Sequence, residues 1–193
     1  MTARDRIAER MQTAVVETGA GRVRLRPPRP TDAAPLHTLV ADTLAEGRWF
    51  LRHPAELDPS PDALVASLED PARHAVVVVA TLGGAVVGLA TVSRNPLRRC
   101  RHVGGLELRV ASAHRGAGIG RALLARAHAL AEADPDLQRL CLQVFADNPR
   151  AVRLYEATGY RVEGRLRGEV REEDGTLRDV VLMARDVAGP AGP

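Results

Sequence analysis

The chain has 193 residues and a formal net charge of +3, with 45% hydrophobic and 26% charged residues. That length suits one domain and that balance an ordinary globular core. The longest apolar run, Ala75 to Ala80, is far too short to cross a bilayer, and a start carrying Arg4, Asp5, Arg6, Glu9 and Arg10 does not resemble a secretory signal. No membrane partner and a cytoplasmic location are expected.

All 27 basic residues are arginine, so catalysis through a lysine Schiff base is excluded. Aromatic residues make up 3%, and the one dense basic cluster, Arg94, Arg98, Arg99, Arg101 and His102, is short and loop-like. A nucleic-acid surface would need more of both, so no nucleic-acid partner is expected. The cluster reads as a solvated connector, or as a contact for an outlying phosphate or an acidic partner. Cys100 and Cys141 lack metal-ligand spacing and read as free thiols, and no metal is expected.

In chain order, residues 1–21 carry no clear pattern and are read as a flexible extension. Val23 to Arg26 is a short strand, and Thr31-Asp32 offers a cap for a helix from Ala33 to Glu46. A second helix spans Pro61 to Glu69. His74 to Leu82 and Ala85 to Ser93 flank Gly83-Gly84, a two-residue hairpin signal. A strand from Gly105 to Val110 precedes a helix from Gly118 to Ala133. A strand from Arg139 to Val144, a helix from Pro149 to Thr158, and a hairpin turning at Glu173-Asp174-Gly175 complete residues 22–186 as one α+β domain. Residues 187–193 read as a disordered tail.

The segment Ser112 to Arg121 joins the alternating strand Leu106, Leu108, Val110 to an amphipathic helix through Gly116, Gly118 and Gly120. Such a junction leaves first-turn N–H groups aimed at one spot, where the helix dipole favours an anion. Neither the dinucleotide glycine fingerprint nor the P-loop spacing is present. Arg115-Gly116-Ala117-Gly118-Ile119-Gly120 instead matches the Arg/Gln-x-x-Gly-x-Gly/Ala signature, and the chain resembles the GCN5-related N-acetyltransferases (GNAT) of the bacterial small-molecule type. The resemblance implies a mostly antiparallel, mixed seven-stranded sheet flanked by about four helices, whose fourth and fifth strands splay apart. It also implies acetyl-coenzyme A as co-substrate, held by Leu108, Arg109, Val110, Arg115, Gly116, Ala117, Gly118, Ile119, Gly120, Arg121 and Asn148. A homodimer is compatible with this size and family.

Asn148 and Pro149 form an ordinary cap and first helical residue. Tyr155 lies about two turns further along the same face. By resemblance, Asn148 touches the cofactor and Tyr155 sits by its sulfur as general acid. An alkyl amine of pKa near 10.4 is about one part in a thousand unprotonated at pH 7, so a base or a proton path is required. A main-chain N–H of the strand ending at Val110 serves the oxyanion in this family. Where amino-terminal acetylases often hold a Glu, this chain has Gln143, which cannot titrate. Glu107 is the best replacement base, with His102 and His114 as further candidates; Glu107 paired with Arg109 as a surface carboxylate is the plain alternative.

Glu46-Gly47-Arg48-Trp49-Phe50-Leu51-Arg52-His53 combines the only Trp with arginines, and Arg48, Trp49, Phe50 and Arg52 are expected to face the acceptor. The reading is an N-acetyltransferase acting on a small-molecule primary amine such as an amino acid. Its rivals are an acetyltransferase of protein N-termini or side chains, and a non-catalytic acyl-coenzyme A binding domain.

Overall fold

The computed structural model describes residues 12–187. The chain opens with two short strands, β1 (Ala14–Thr18) and β2 (Gly21–Arg26), and two helices, α1 (Ala33–Ala45) and α2 (Pro61–Glu69). Three antiparallel strands follow: β3 (His74–Leu82), β4 (Ala85–Arg94) and β5 (Val103–Val110). Then come α3 (Ile119–Ala131), β6 (Arg139–Phe145), α4 (Pro149–Glu156) and the closing hairpin β7 (Arg161–Arg171) and β8 (Leu177–Asp186). The sheet order is β1-β2-β3-β4-β5-β6-β8-β7.

The apolar run of β3 has no polar alternation because both faces of that strand are covered. Val76, Val78 and Ala80 join a core with Leu123, Leu124, Ala127 and Leu130 of α3 and Tyr155 of α4. Val77 and Val79 join a second core with Leu36, Leu39, Val40 and Leu44 of α1 and Val65 and Leu68 of α2. Each fully buried leucine, Leu36, Leu44, Leu123 and Leu124 among them, stabilises the layers by about 1.5–3 kcal/mol. At Gly83 and Gly84 the backbone takes φ of 58° and 93°, the left-handed pair that a two-residue hairpin needs.

The sheet has eight strands rather than seven. The added strand is β1, in the segment expected to be a flexible extension, where pairing of Ala14 to Thr18 with β2 supplies order that local propensity does not. Residues 1–11 lie outside the described part, as do 188–193 of the expected tail. Val187 is not tail-like: it is buried and its N–H donates to Gln138 O at 2.8 Å. The cap expected at Thr31-Asp32 also differs. Asp32 precedes α1, but its carboxylate accepts from Arg26 at 2.5 and 2.7 Å and from Arg29 N, which leaves none of it for the helix.

Parallel β5 and β6 open a gap in the sheet. They pair only at Val103 with Arg139, Gly104 with Leu140 and Gly105 with Cys141. Beyond Gly105 the strands diverge, so the splay lies between the fifth and sixth strands, shifted by one because of β1.

Candidate active site

Divergence of β5 and β6 leaves main-chain groups of β5 without a strand partner. The N–H of Ala111 donates to Val87 O, on the β4 side. By the alternation of strand groups, Val110 and Leu108 turn theirs the other way, into the gap. The gap is a cleft of about 1040 Å³ bounded by β5, the glycine turn, β6, α4 and the loop after α1.

One end of this cleft suits an anion. Gly116 and Gly118 both have φ of +90°, which a β-carbon resists, and Gly118 is the left-handed cap residue of α3. Among the described residues no side chain caps α3, so its first N–H groups are left for a ligand. Neither α3 nor α4 has an acidic residue in its first turn; Arg121 and Arg150 stand there instead, and both face the cleft with Arg153. Cations at the positive end of a helix dipole are unfavourable by about 0.3–1 kcal/mol each. A bound polyanion reverses that sign. The terminal nitrogen Nη2 of Arg150 comes within 3.2 Å of where a β-carbon on Gly116 would stand, directly over the turn.

The middle of the cleft holds a buried guanidinium, a carboxylate and a phenol. Arg109 is only 4% exposed; its Nε donates to Glu107 Oε1 at 2.7 Å, its Nη1 donates to Thr43 Oγ1 at 2.9 Å, and its guanidinium lies 3.8 Å from the Phe50 ring centroid. Burial pulls its pKa below the usual arginine range, while Glu107 opposes the shift. Glu107 itself keeps its side chain half exposed toward the cleft. Tyr155 is 9% exposed and packs edge-on to Tyr160, with ring centroids 5.7 Å apart. Burial first, and the Glu107 charge second, push its phenol well above the ordinary tyrosine value. The phenol therefore stays protonated at every physiological pH.

The other end is aromatic and cationic. Trp49 and Phe50 line it with Phe145 and Gln143. Arg48 lies 4.5 Å from the Trp49 ring, and Arg52 donates to Glu56 O at 2.5 Å. Arg178 stacks 3.8 Å from the Phe145 ring while bonding Glu172, Asp147 and the carbonyl of Arg48.

A family model of acetyltransferases, the Acetyltransferase (GNAT) family, matches residues 41–160, from the end of α1 to the start of β7. The chain belongs to this GNAT family. Among solved structures, a GNAT acetyltransferase from Streptococcus pneumoniae superposes with a TM-score of 0.77 at 25% identity, covering 86% of this chain and 99% of that one. A ribosomal-protein-alanine N-acetyltransferase from Brucella melitensis gives 0.74 at 26% identity, covering 84% and 98%. A phosphinothricin acetyltransferase from Sinorhizobium meliloti, solved with acetyl-CoA, shares the fold with a TM-score of 0.77 at 22% identity, over 89% and 92%. N-alpha-acetyltransferase 40 of Saccharomyces cerevisiae is 52% identical over 67 residues, 30% of this chain and 23% of that protein, so the match spans under a quarter of the yeast protein's length.

Within this GNAT chain, most residues singled out from sequence converge on one cleft: Leu108, Arg109, Val110, Arg115, Gly116, Gly118, Gly120, Arg121 and Asn148 with Glu107, Tyr155, Arg48, Trp49, Phe50 and Arg52. Several stand differently from expectation. Ile119 is buried in the core, and Ala117 gives its carbonyl to Gly19 N at 2.8 Å. Arg115 spends its guanidinium on Glu46, at 2.7 and 2.6 Å, and on Val110 O. Asn148 is the helix cap that its place before Pro149 predicts, accepting from Ala151 N at 3.1 Å. His102 and His114 are absent from the cleft lining, as is the basic cluster, whose Arg94 pairs with Asp134 at 2.5 Å. Sequence reasoning missed Arg150, Arg153 and Arg178. The first had a readable signal, a basic residue in the first turn of a helix; Arg178 had none, since two of its three hydrogen-bond partners come from distant segments.

Proposed function

We propose that the chain transfers the acetyl group of acetyl-coenzyme A to the primary amine of a small molecule, such as an amino acid. The observation that carries this is the graded cleft: a glycine turn with Arg121, Arg150 and Arg153 at one end, Tyr155 and Glu107 in the middle, aromatic rings and guanidinium groups at the other. The anion end fits the co-substrate's phosphates, with the main chain from Gly116 to Gly120 and Arg121, Arg150 and Arg153 as their partners. When bound, the co-substrate supplies an activated acetyl thioester.

The residues then divide the work. N–H groups of the unpaired edge of β5 are placed for charge that builds on a carbonyl oxygen, a role of large effect when donors are fixed in advance. Glu107, held by Arg109, takes the amine proton directly or through water, because Gln143 cannot. Tyr155, kept protonated by burial, gives a proton to the departing sulfur. Arg48 and Arg52 hold a carboxylate on the acceptor, and Trp49 and Phe50 cover its apolar part.

An acceptor that is a protein N-terminus is the second reading, favoured by the yeast match. Free-thiol release from acetyl-coenzyme A over a panel of amino acids, polyamines and short peptides separates the two. Turnover is expected with amino acids. Turnover with peptides alone would replace the small-molecule reading, and tight cofactor binding without turnover would leave a binding domain.

A further inference from the structure

The segment that roofs the acceptor end is fastened to the far side of the sheet. Residues 48–52 lie on the loop after α1, and β7 and β8 come from the last part of the chain. On β8 stands Arg178, only 13% exposed in its side chain. Its Nη1 donates to the main-chain carbonyl of Arg48 at 2.9 Å and to Glu172 Oε1 at 2.7 Å, and its Nη2 donates to Asp147 Oδ1 at 2.8 Å. Its plane covers the Phe145 ring at 3.8 Å and reaches Trp49 at 5.9 Å. One guanidinium thus joins the acceptor loop, the end of β6, the segment before α4, and the β7–β8 hairpin. A second tie runs beside it, His53 Nε2 to Glu173 Oε1 at 3.3 Å, exposed and hence weak.

We propose that Arg178 is a positioning residue that sets acceptor size: it pins the 46–53 loop across the acceptor end of the cleft and so admits small amines while excluding a peptide that must continue past its amine. This rests on the acetyltransfer reading above. The physical case is that three of the guanidinium's five N–H donors, and its face over Phe145, are spent within the protein. Arg178 is not among the residues that line the cleft, yet its donors tie down the backbone that carries Arg48 and Trp49. Lysine at this position would keep the charge and lose the fork and the stacking plane.

The test compares the wild-type protein with Arg178→Met and Arg178→Lys, with thermal melting to verify that both fold. Acetyl-coenzyme A affinity is expected to stay within about twofold by calorimetry, while the small-amine KM rises roughly ten- to hundredfold in Arg178→Met, the range for a lost hydrogen bond to a charged group, with kcat changed less. The ratio of kcat/KM for a short peptide over a small amine should rise in the same variant, and Arg178→Lys should fall between. An arm independent of turnover is limited trypsin digestion read by mass spectrometry, because the carbonyl that Arg178 holds belongs to the Arg48–Trp49 bond that trypsin cuts. That cut should come roughly tenfold faster in Arg178→Met, as local opening of the loop becomes easier. An unchanged cutting rate would overturn the tether. Faster cutting with an unchanged peptide-to-amine ratio would overturn the size-setting role. A wild-type protein that binds acetyl-coenzyme A and acetylates no small amine would remove the acceptor reading and the size-setting role with it, while the digestion still decides the tether.

Discussion

Tyr155 lines the cleft from α4, and its raised pKa means that the phenol keeps its proton at every working pH. Tyr155→Phe keeps the ring and its edge contact with Tyr160, so cofactor affinity should stay within a few fold. The acetyl-transfer step, measured in single turnovers, should slow by roughly 10² to 10⁴, the usual range for a lost general acid. Unchanged chemistry would take Tyr155 out of the mechanism. Gly118 gives a second test at this scale. Nothing within 3.9 Å opposes a β-carbon there, but φ of +90° does, so Gly118→Asn measures the strain alone. Gly118→Asp has nearly the same shape and adds a negative charge. Its acetyl-coenzyme A dissociation constant should exceed that of the Asn variant by roughly tenfold or more, since like charges a few ångströms apart at a protein surface repel strongly. Equal affinities by calorimetry would move the phosphates away from this turn.

Elements differ in how far the chain announces them. Helix α2 and the β3–β4 hairpin were readable to the residue at most boundaries, because Ser60-Pro61 starts the one and Gly83-Gly84 turns the other. The strand β1 was not, since an edge strand of five residues owes its order to a partner rather than to its own pattern. Its position has a consequence for the site. The β1–β2 turn donates Gly19 N–H to Ala117 O at 2.8 Å, and Thr18 shapes that turn by giving its hydroxyl proton to Gly21 O and accepting from Ala20 N. The hairpin therefore buttresses the glycine turn from behind. Removing the chain through Ala20 deletes that bond, about 1 kcal/mol, so acetyl-coenzyme A should bind roughly fivefold more weakly while the rest of the domain folds. Titration calorimetry on the shortened protein checks this; unchanged affinity would mean that the glycine turn supports itself.

At the scale of the molecule, sequence order was enough to place strands and helices in the acetyltransferase pattern, whereas contacts between distant segments were not legible. The clearest example outside the cleft is a buried polar lock. His128 on α3 is 7% exposed; its Nδ1 accepts from Arg185 on β8 at 2.6 Å, and its Nε2 donates to the hydroxyl of Tyr160, just before β7, at 3.1 Å. Nothing in a histidine in the middle of a helical repeat foretells a bond to a residue far along the chain. Burial first, and the Arg185 charge second, lower its pKa from 6.5 to about 4. The sign follows from the two states: below pH 6.5 the unfolded chain takes up a proton that the folded protein refuses until about pH 4. Stability from this group is therefore complete above pH 6.5 and drains away as the pH falls toward 4. Moving from pH 7.5 to pH 5 should remove about 2 kcal/mol through His128 alone. The measurement is urea denaturation of the wild-type protein and His128→Gln at both pH values. Glutamine can still accept from Arg185 and donate to Tyr160, but it does not titrate, so the variant should lose about 2 kcal/mol less than the wild type on acidification. Equal losses in the two proteins would assign the acid sensitivity to other groups and would mean that His128 does not keep its low pKa in solution.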